Sequence, residues 1–349
     1  MKKIVLLIMF GGSAFITFAR VHKFSPEFQA VYDAATASEV QEAQRKGAKA
    51  KIVYRVVDDD GMPITNTVVR GTWQNDYPRK TWKENYVTDT NGMFVAEATV
   101  GSRFGCIVEK SGYYSSTGGV NFHWREGVSP LVKDGKWQPY GEHKTIVLKR
   151  IKNPANMNLI QHAWFAAPVT NAWVGFDLEK FAWTPPYGNG KNDDILIRFN
   201  YQARNKYYTD WSTMDISFTN NPYAGFYMLN KDSYSEMKNP YSVDTNQTFL
   251  STNTYGTVGT KENILGSGSC LVFRTRTKVG EDGQLVSANY GMIYGRWTTE
   301  FGMKAEAIFF NPRPNDINIE DIDEFTRTRL KNKGELRWCA KQSSIQLVK

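Results

Sequence analysis

The chain has 349 residues, enough for two packed units. Lys and Arg number 43 against 35 Asp and Glu, a net charge of +8, but the charges are interspersed without a basic run or an Arg-rich helix, which argues against nucleic acid as a partner. Aromatic residues reach 14%, with 10 Trp and 18 Tyr, a bias toward β structure and toward exposed stacking surfaces.

The first predicted element is a leader. Met1-Lys2-Lys3 is positive, residues 4–10 are apolar and are weakly extended to Ile16, and Thr17-Phe18-Ala19 places small residues where a signal peptidase cuts. Residues 1–19 therefore read as a signal peptide, with export to the periplasm, the cell surface or the medium; an uncleaved signal anchor is the alternative. No Cys follows the apolar core to carry a lipid anchor, and no later segment is apolar enough to span a bilayer. Residues 20–49 form a helical spacer. Ser25 caps, Pro26 takes the first helical position, and Glu27 meets the positive end of the dipole. The helix runs to Lys46, where Gly47 suits a left-handed end. Its apolar stripe is narrow: Phe28, Val31, Tyr32 and Ala35.

From about residue 50 the period changes to two. Ile52, Tyr54 and Val56 alternate with Val53, Arg55 and Val57, a strand pattern. Asp60-Gly61 and Asn91-Gly92 are turn signals, the second favouring a type I′ hairpin. Phe94, Ala96, Ala98 and Val100 share one face of the next strand, and Gly112 ends the one after. On these residues the stretch resembles the carboxypeptidase regulatory-like domain, a transthyretin-like β-sandwich. The resemblance rests on Val57, Asp58, Gly61, Pro63 and Ile64, then Thr88, Asp89, Gly92 and Phe94, then Lys110, Gly112 and Tyr113. It covers residues 50–152 if Ile146-Val147-Leu148 is the closing strand, and it implies a non-catalytic accessory module. Two stretches depart from it: a polar, Trp-bearing excursion at 70–85, and an insertion at 120–142 with Trp124, Trp137 and Tyr140.

Lys149-Arg150-Ile151-Lys152-Asn153-Pro154 reads as a linker, because proline cannot continue a ladder strand. Residues 153–318 keep the β pattern. Residues 172–178 and 194–201 are strand-like, 183–190 is a turn-rich loop, and 220–260 reads as long ordered loops. Residues 270–277 and 285–293 form a hairpin about Glu281-Asp282-Gly283-Gln284. The fold expected is thus mostly β: an Ig/transthyretin-like sandwich, then a second antiparallel β domain, with short helices near both termini. Residues 319–349 hold the C-terminal helix, acidic first and basic last, and a tail.

Chemistry is sparse. His123-Trp124-Arg125-Glu126 has an H-x-x-E spacing, but it lies within the accessory-like domain with no suitable third ligand, so no metal and no cofactor are expected. Gly266-Ser267-Gly268-Ser269 is a flexible turn and not a phosphate cradle. Cys106 and Cys270 sit in strand-like runs and read as buried thiols, with one disulfide among Cys106, Cys270 and Cys339 as the alternative. Asp193, Asp194, Asp215 and Glu306 are acids without a diagnostic spacing. The aromatic supply is the more pointed signal: Trp73, Trp82, Trp124, Trp137, Trp183, Tyr187 and Trp211 fall in insertions and loops, where they either pack the loops down or form a ligand platform. The expectation is an exported protein without enzymatic activity, a binding or structural module for a glycan or another surface protein. The alternative is a secreted glycan-active hydrolase with its site in the second β domain.

Overall fold

A computed structural model describes residues 37–123, 130–205, 208–218, 222–230, 235–237, 239–258, 269–294 and 302–321. The predicted leader and the Ser25 helix start lie outside these residues. So does most of the predicted C-terminal helix, whose first residues, Ile319, Glu320 and Asp321, are not helical and are buried. The protein is mostly β, and most of its described strand pairs are antiparallel.

Helix α1 (Ser38–Lys46) ends where the sequence placed its end. Gly47 takes φ +84° and its N–H bonds the Ala43 carbonyl at 2.8 Å. Val40 and Ala43 seat it on the first sandwich. One sheet of that sandwich centres on β1 (Ala48–Asp58), flanked by β4 (Met93–Val100) on one side. On the other side lie the short β8 (Lys136–Trp137) and then β9 (Glu142–Leu148), both parallel to β1, with β7 (Val132–Lys133) beyond β8. The facing sheet has the order β3 (Arg79–Val87), β2 (Val68–Asp76), β5 (Arg103–Val108), β6 (Ser116–Asn121). Between them lie Ile52, Tyr54, Val56, Val69, Phe94, Phe104 and Ile146, the inward sets of strands with a period of two.

Two expectations change here. The 70–85 excursion is a regular hairpin, with β2 and β3 paired from Val68↔Val87 to Asp76↔Arg79. In β2 the polar Arg70, Thr72 and Gln74 face out while Val69, Gly71 and Trp73 face in. Asn91-Gly92 does not turn a hairpin, because β3 and β4 belong to different sheets. Instead Asp89 Oδ1 accepts the N–H groups of Asn91 and Met93 at 2.8 and 2.7 Å, and only Gly92 (φ +72°) is left-handed. Asp58 heads a turn of the same construction, accepting the N–H groups of Asp60 and Met62 on either side of Gly61.

β3 is an edge strand, and Glu84 stands on its inner face between Trp82 and Tyr86. Its Oε2 accepts from Trp73 Nε1 at 3.2 Å and from the Tyr86 hydroxyl at 2.5 Å. Burial and Glu84 together push the Tyr86 phenol upward. An inward charge is a recognised guard against edge-to-edge pairing.

Cys106 and Cys270 are both buried. Burial pushes the Cys106 thiol up to about 12. In a Cys339→Ser background the native protein is expected to leave Cys106 unlabelled by a thiol reagent at pH 8, with labelling only on unfolding, since the thiolate is the reactive form. Rapid native labelling at Cys106, read by mass spectrometry, would contradict this burial.

The remaining strands form two further sheets. One has the order β10 (Asn158–Ala166), β19 (Gly302–Asn311), β18 (Leu285–Tyr294), β17 (Ser269–Val279), β15 (Gly225–Asn230). The other has the order β12 (Ala182–Trp183), β11 (Trp173–Asp177), β13 (Ile195–Asn205), β14 (Tyr208–Ser217), β16 (Thr252–Val258). They face each other across Val174, Phe176, Ile197, Phe199 and Met214 on one side and Leu271, Phe273, Ile308 and Phe310 on the other. The β10-to-β15 sheet is covered on its second face too, by Met157, Val243 and Ile319 over Val272, Met292 and Phe309. That double burial explains the near-continuous buried run along β18. The predicted 270–293 hairpin forms about Gly283. Residues 220–260, expected as loops, contain β15 and β16. Both are outer strands, held by ladder bonds to β17 and β14 with no strong apolar alternation to announce them.

The segment read as a linker is clasped from both sides. Glu320, 1% exposed, accepts from the Tyr114 hydroxyl at 2.9 Å, from Lys152 N at 2.8 Å and from Asn153 N at 2.7 Å. Lys149 Nζ bonds the carbonyls of Met237 and Asn239 at 2.7 and 3.0 Å, and the Tyr241 hydroxyl bonds the Arg150 carbonyl at 2.8 Å. Lys152 Nζ lies 3.8 Å from the Tyr241 ring centre.

Candidate functional site

Most of the predicted platform is core. Trp73 is fully buried, 4.5 Å centre to centre from Phe104 and stacked with Phe122 and Trp82. Trp137 is 1% exposed and its Nε1 donates to the Val100 carbonyl at 2.7 Å. Trp183 is 8% exposed, edge-on to Phe176 and Phe199, with Nε1 on the Ala166 carbonyl at 3.0 Å. These three are corrected from platform to core for one reason. Each indole finds an inward strand position or an interior niche plus an acceptor for its N–H, which makes complete burial favourable. Trp82 is half-buried against Trp73. Tyr187 is exposed. Trp124 lies outside the described residues; Trp211 is placed only as the β14 position paired with Gln202 and Val258.

A ring that alternation alone did not single out stands on the open face of the second unit. Val174 and Phe176 point into the core, so their neighbours Trp173 and Gly175 point out. Trp173 is 44% exposed. It pairs in register with Arg198, which pairs in turn with Asp215 across β13 and β14. The Arg198 guanidinium sits 4.8 Å from the Trp173 ring centre, and its Nε and Nη2 reach Asp215 Oδ2 at 2.8 and 2.7 Å. Asp215 is 8% exposed, so a buried acid fixes the arginine and the arginine fixes the ring. Asn200 and Thr213, one step further along the same face, add neutral donors and acceptors.

The loop between β12 and β13 folds back beside this ring. A Cβ on Gly175 would lie 1.7 Å from Asp193 Oδ1 and 2.5 Å from Thr184 Oγ1, so the bare backbone there is occupied by the Thr184–Asp193 pair, itself bonded at 2.6 Å. Tyr187 belongs to this loop. Asp177, which is fully buried, ties the turn before β12 to the far end of this loop. Its Oδ1 accepts the N–H groups of Glu179 and Lys180, each at 2.9 Å, and its Oδ2 those of Lys191 and Asn192 at 2.8 and 3.1 Å. Burial pushes this carboxyl up, but the backbone bonds and Arg276 outweigh it and hold it below the usual carboxylate range.

Of the four acids noted in the sequence, Asp193 and Asp215 reach this face. Asp194, one residue out of phase with Asp193, turns inward and is bound by Arg276 through Nε and Nη2, both at 2.8 Å. Burial raises its pKa, and Arg276 offsets this only in part. Glu306 lies on β19, in the other sheet.

His123 stands at one end of the first sandwich, its Nε2 3.8 Å from Asp76 Oδ2, while the Ser102 hydroxyl donates to that same oxygen at 2.5 Å. Burial lowers the histidine's pKa against the pull of Asp76. The serine proton is thus engaged by the acid, not by the imidazole, which is not a nucleophile–base arrangement. Glu126 lies outside the described residues, and among those described no three His, Cys, Asp or Glu converge as a metal site.

No family model matches the chain, and no curated protein matches it. Solved structures similar to parts of it include 3-chlorocatechol 1,2-dioxygenase from Rhodococcus opacus 1CP, at 16% identity and TM-score 0.24 over 31% of this chain and 61% of that one. Others are hydroxyquinol 1,2-dioxygenase from Pseudomonas putida DLL-E4 (14%, 0.22, 30% of this chain and 57% of that one) and catechol 1,2-dioxygenase from Acinetobacter sp. ADP1 (12%, 0.23, 31% and 54%). The chain spans less than two thirds of each of these proteins. At these scores the likeness transfers neither a reaction nor site residues. Because these neighbours are enzymes, the expectation of a non-catalytic module without enzymatic activity is corrected and withdrawn.

Proposed function

We propose that the protein is exported and recognises carbohydrate on the outward face of β11, β13 and β14. The observation that carries this reading is Trp173, a half-exposed indole pinned by Arg198 and Asp215 on the outward sheet face. A fixed aromatic face stacks on the apolar side of a pyranose at little entropic cost, and the surrounding Arg198, Asp215, Asn200 and Thr213 offer donors and acceptors to its hydroxyls. The leader pattern over residues 1–19 supports export. The first unit is read as carboxypeptidase regulatory-like, a reading supported by its two Asp-headed turns at Asp58–Gly61 and Asp89–Gly92.

The test is titration of the purified protein against a panel of oligosaccharides, with released reducing ends followed in the same incubations so that turnover also registers. Trp173→Ala is expected to weaken binding roughly 30-fold, about 2 kcal/mol, the scale of a buried aromatic anchor. Its circular dichroism should stay unchanged, because the ring is not in the core. Binding that is indifferent to Trp173→Ala, or no binding across the panel, would remove the proposal.

A further inference from the structure

Resting on that reading, we infer that the glycan is uncharged, and that Asp215 is the residue that makes the face reject acidic glycans. Around Trp173, over residues 173–177, 195–202 and 212–217 of strands β11, β13 and β14, the outward positions carry one cation, Arg198. A uronate, sialate or sulfate group would need that guanidinium. Two of its donor nitrogens are already spent on one oxygen of Asp215, at 2.7 and 2.8 Å, and its plane is taken up by the Trp173 ring. An anion brought to Arg198 therefore meets the Asp215 carboxylate a few ångströms behind it, in a half-buried setting where like charges repel more than in water. The loop over Gly175 adds Lys191 and Asp193, one charge of each sign. The face is balanced, although the chain as a whole carries +8. A balanced face with paired donors and acceptors suits vicinal hydroxyls, which give and accept hydrogen bonds together.

Asp215 acts here as a positioning residue: it orients Arg198 and cancels its charge without needing to touch the ligand. Its replacement has a signature that lost packing would not produce. Asp215→Asn keeps the shape and an acceptor while freeing the charge of Arg198, so affinity for acidic glycans should rise while affinity for neutral ones falls or stays level.

The experiment is calorimetric titration of wild type and Asp215→Asn with neutral cello-, manno- and xylo-oligosaccharides and with oligogalacturonate and alginate oligomers, each at low and high salt. For the wild type, neutral ligands should bind at least roughly tenfold tighter than acidic ones, with little salt dependence. Asp215→Asn should narrow that gap by about tenfold, and the gain should vanish at high salt. Acidic ligands binding the wild type as tightly as neutral ones, with loss in Trp173→Ala, would overturn this inference and leave carbohydrate recognition standing. An unchanged gap in a folded Asp215→Asn protein would overturn the role of Asp215. Binding of neither class would overturn both readings.

Discussion

Arg276→Ala is expected to be among the most damaging single changes in the second unit, costing about 3–5 kcal/mol and lowering Tm by roughly 10 °C. Arg276 lies at a bulge in β17, where the register shifts between Thr275 and Lys278 and its own φ is +50°. From there one guanidinium meets three carboxylates: Asp194, Asp177 at 3.0 Å, and Glu179. It also stacks on Phe310, 4.8 Å from the ring centre. Burial opposes its charge, but Asp194 and Glu179 hold it firmly protonated. Asp177 and Asp194 are almost wholly buried, so removing the arginine leaves two interior acids without their counter-charge. The damage should extend to the face around Trp173, because Asp177 also holds the far end of the loop that carries Thr184 and Asp193, through the N–H groups of Lys191 and Asn192. Arg276→Lys should recover only part of the loss, since an ammonium cannot span three acceptors in a plane. Urea unfolding of the three proteins decides it. A loss below about 1 kcal/mol for Arg276→Ala would mean the cluster is solvated and contributes little.

Glu320→Ala is expected to cost about 3 kcal/mol and to split a single calorimetric transition into two. The carboxylate collects one phenol and two consecutive backbone N–H groups at the junction of the two β units. Without it the buried phenol is left unpaired, at about 1–3 kcal/mol before relaxation, and the two part-buried N–H groups add less. The rest of the clasp is smaller: Lys149 on two carbonyls, Tyr241 on the Arg150 carbonyl, and the short Ser116↔Ser235 bridge. Glu320→Gln, which keeps acceptor capacity, should lose less. A wild-type thermogram already showing two transitions, or an unchanged one in Glu320→Ala, would refute the clasp as the coupling element.

What the amino-acid order determined by itself was the class of fold and much of its punctuation. Period-two alternation in β1, the Asp-headed glycine turns, the end of α1 at Lys46 and Gly47, and the hairpin about Gly283 follow from local sterics and side-chain periodicity, which neighbours in sequence suffice to set. Tertiary structure decided which aromatic rings are surface. Trp73, Trp137 and Trp183 looked like loop or insertion residues, yet each found an acceptor for its N–H inside a sandwich. Trp173, read only as part of a strand, was left in the open because Val174 and Phe176 claimed the core side. Pairing register, which joins Trp173 to Arg198 and Arg198 to Asp215 from three separate strands, has no signature in any one of them. The same holds for Glu320, whose partners lie up to 206 residues away in the chain. A long-range contact is chosen by where whole sheets meet, and that depends on the summed burial of both cores and not on the residues that finally touch.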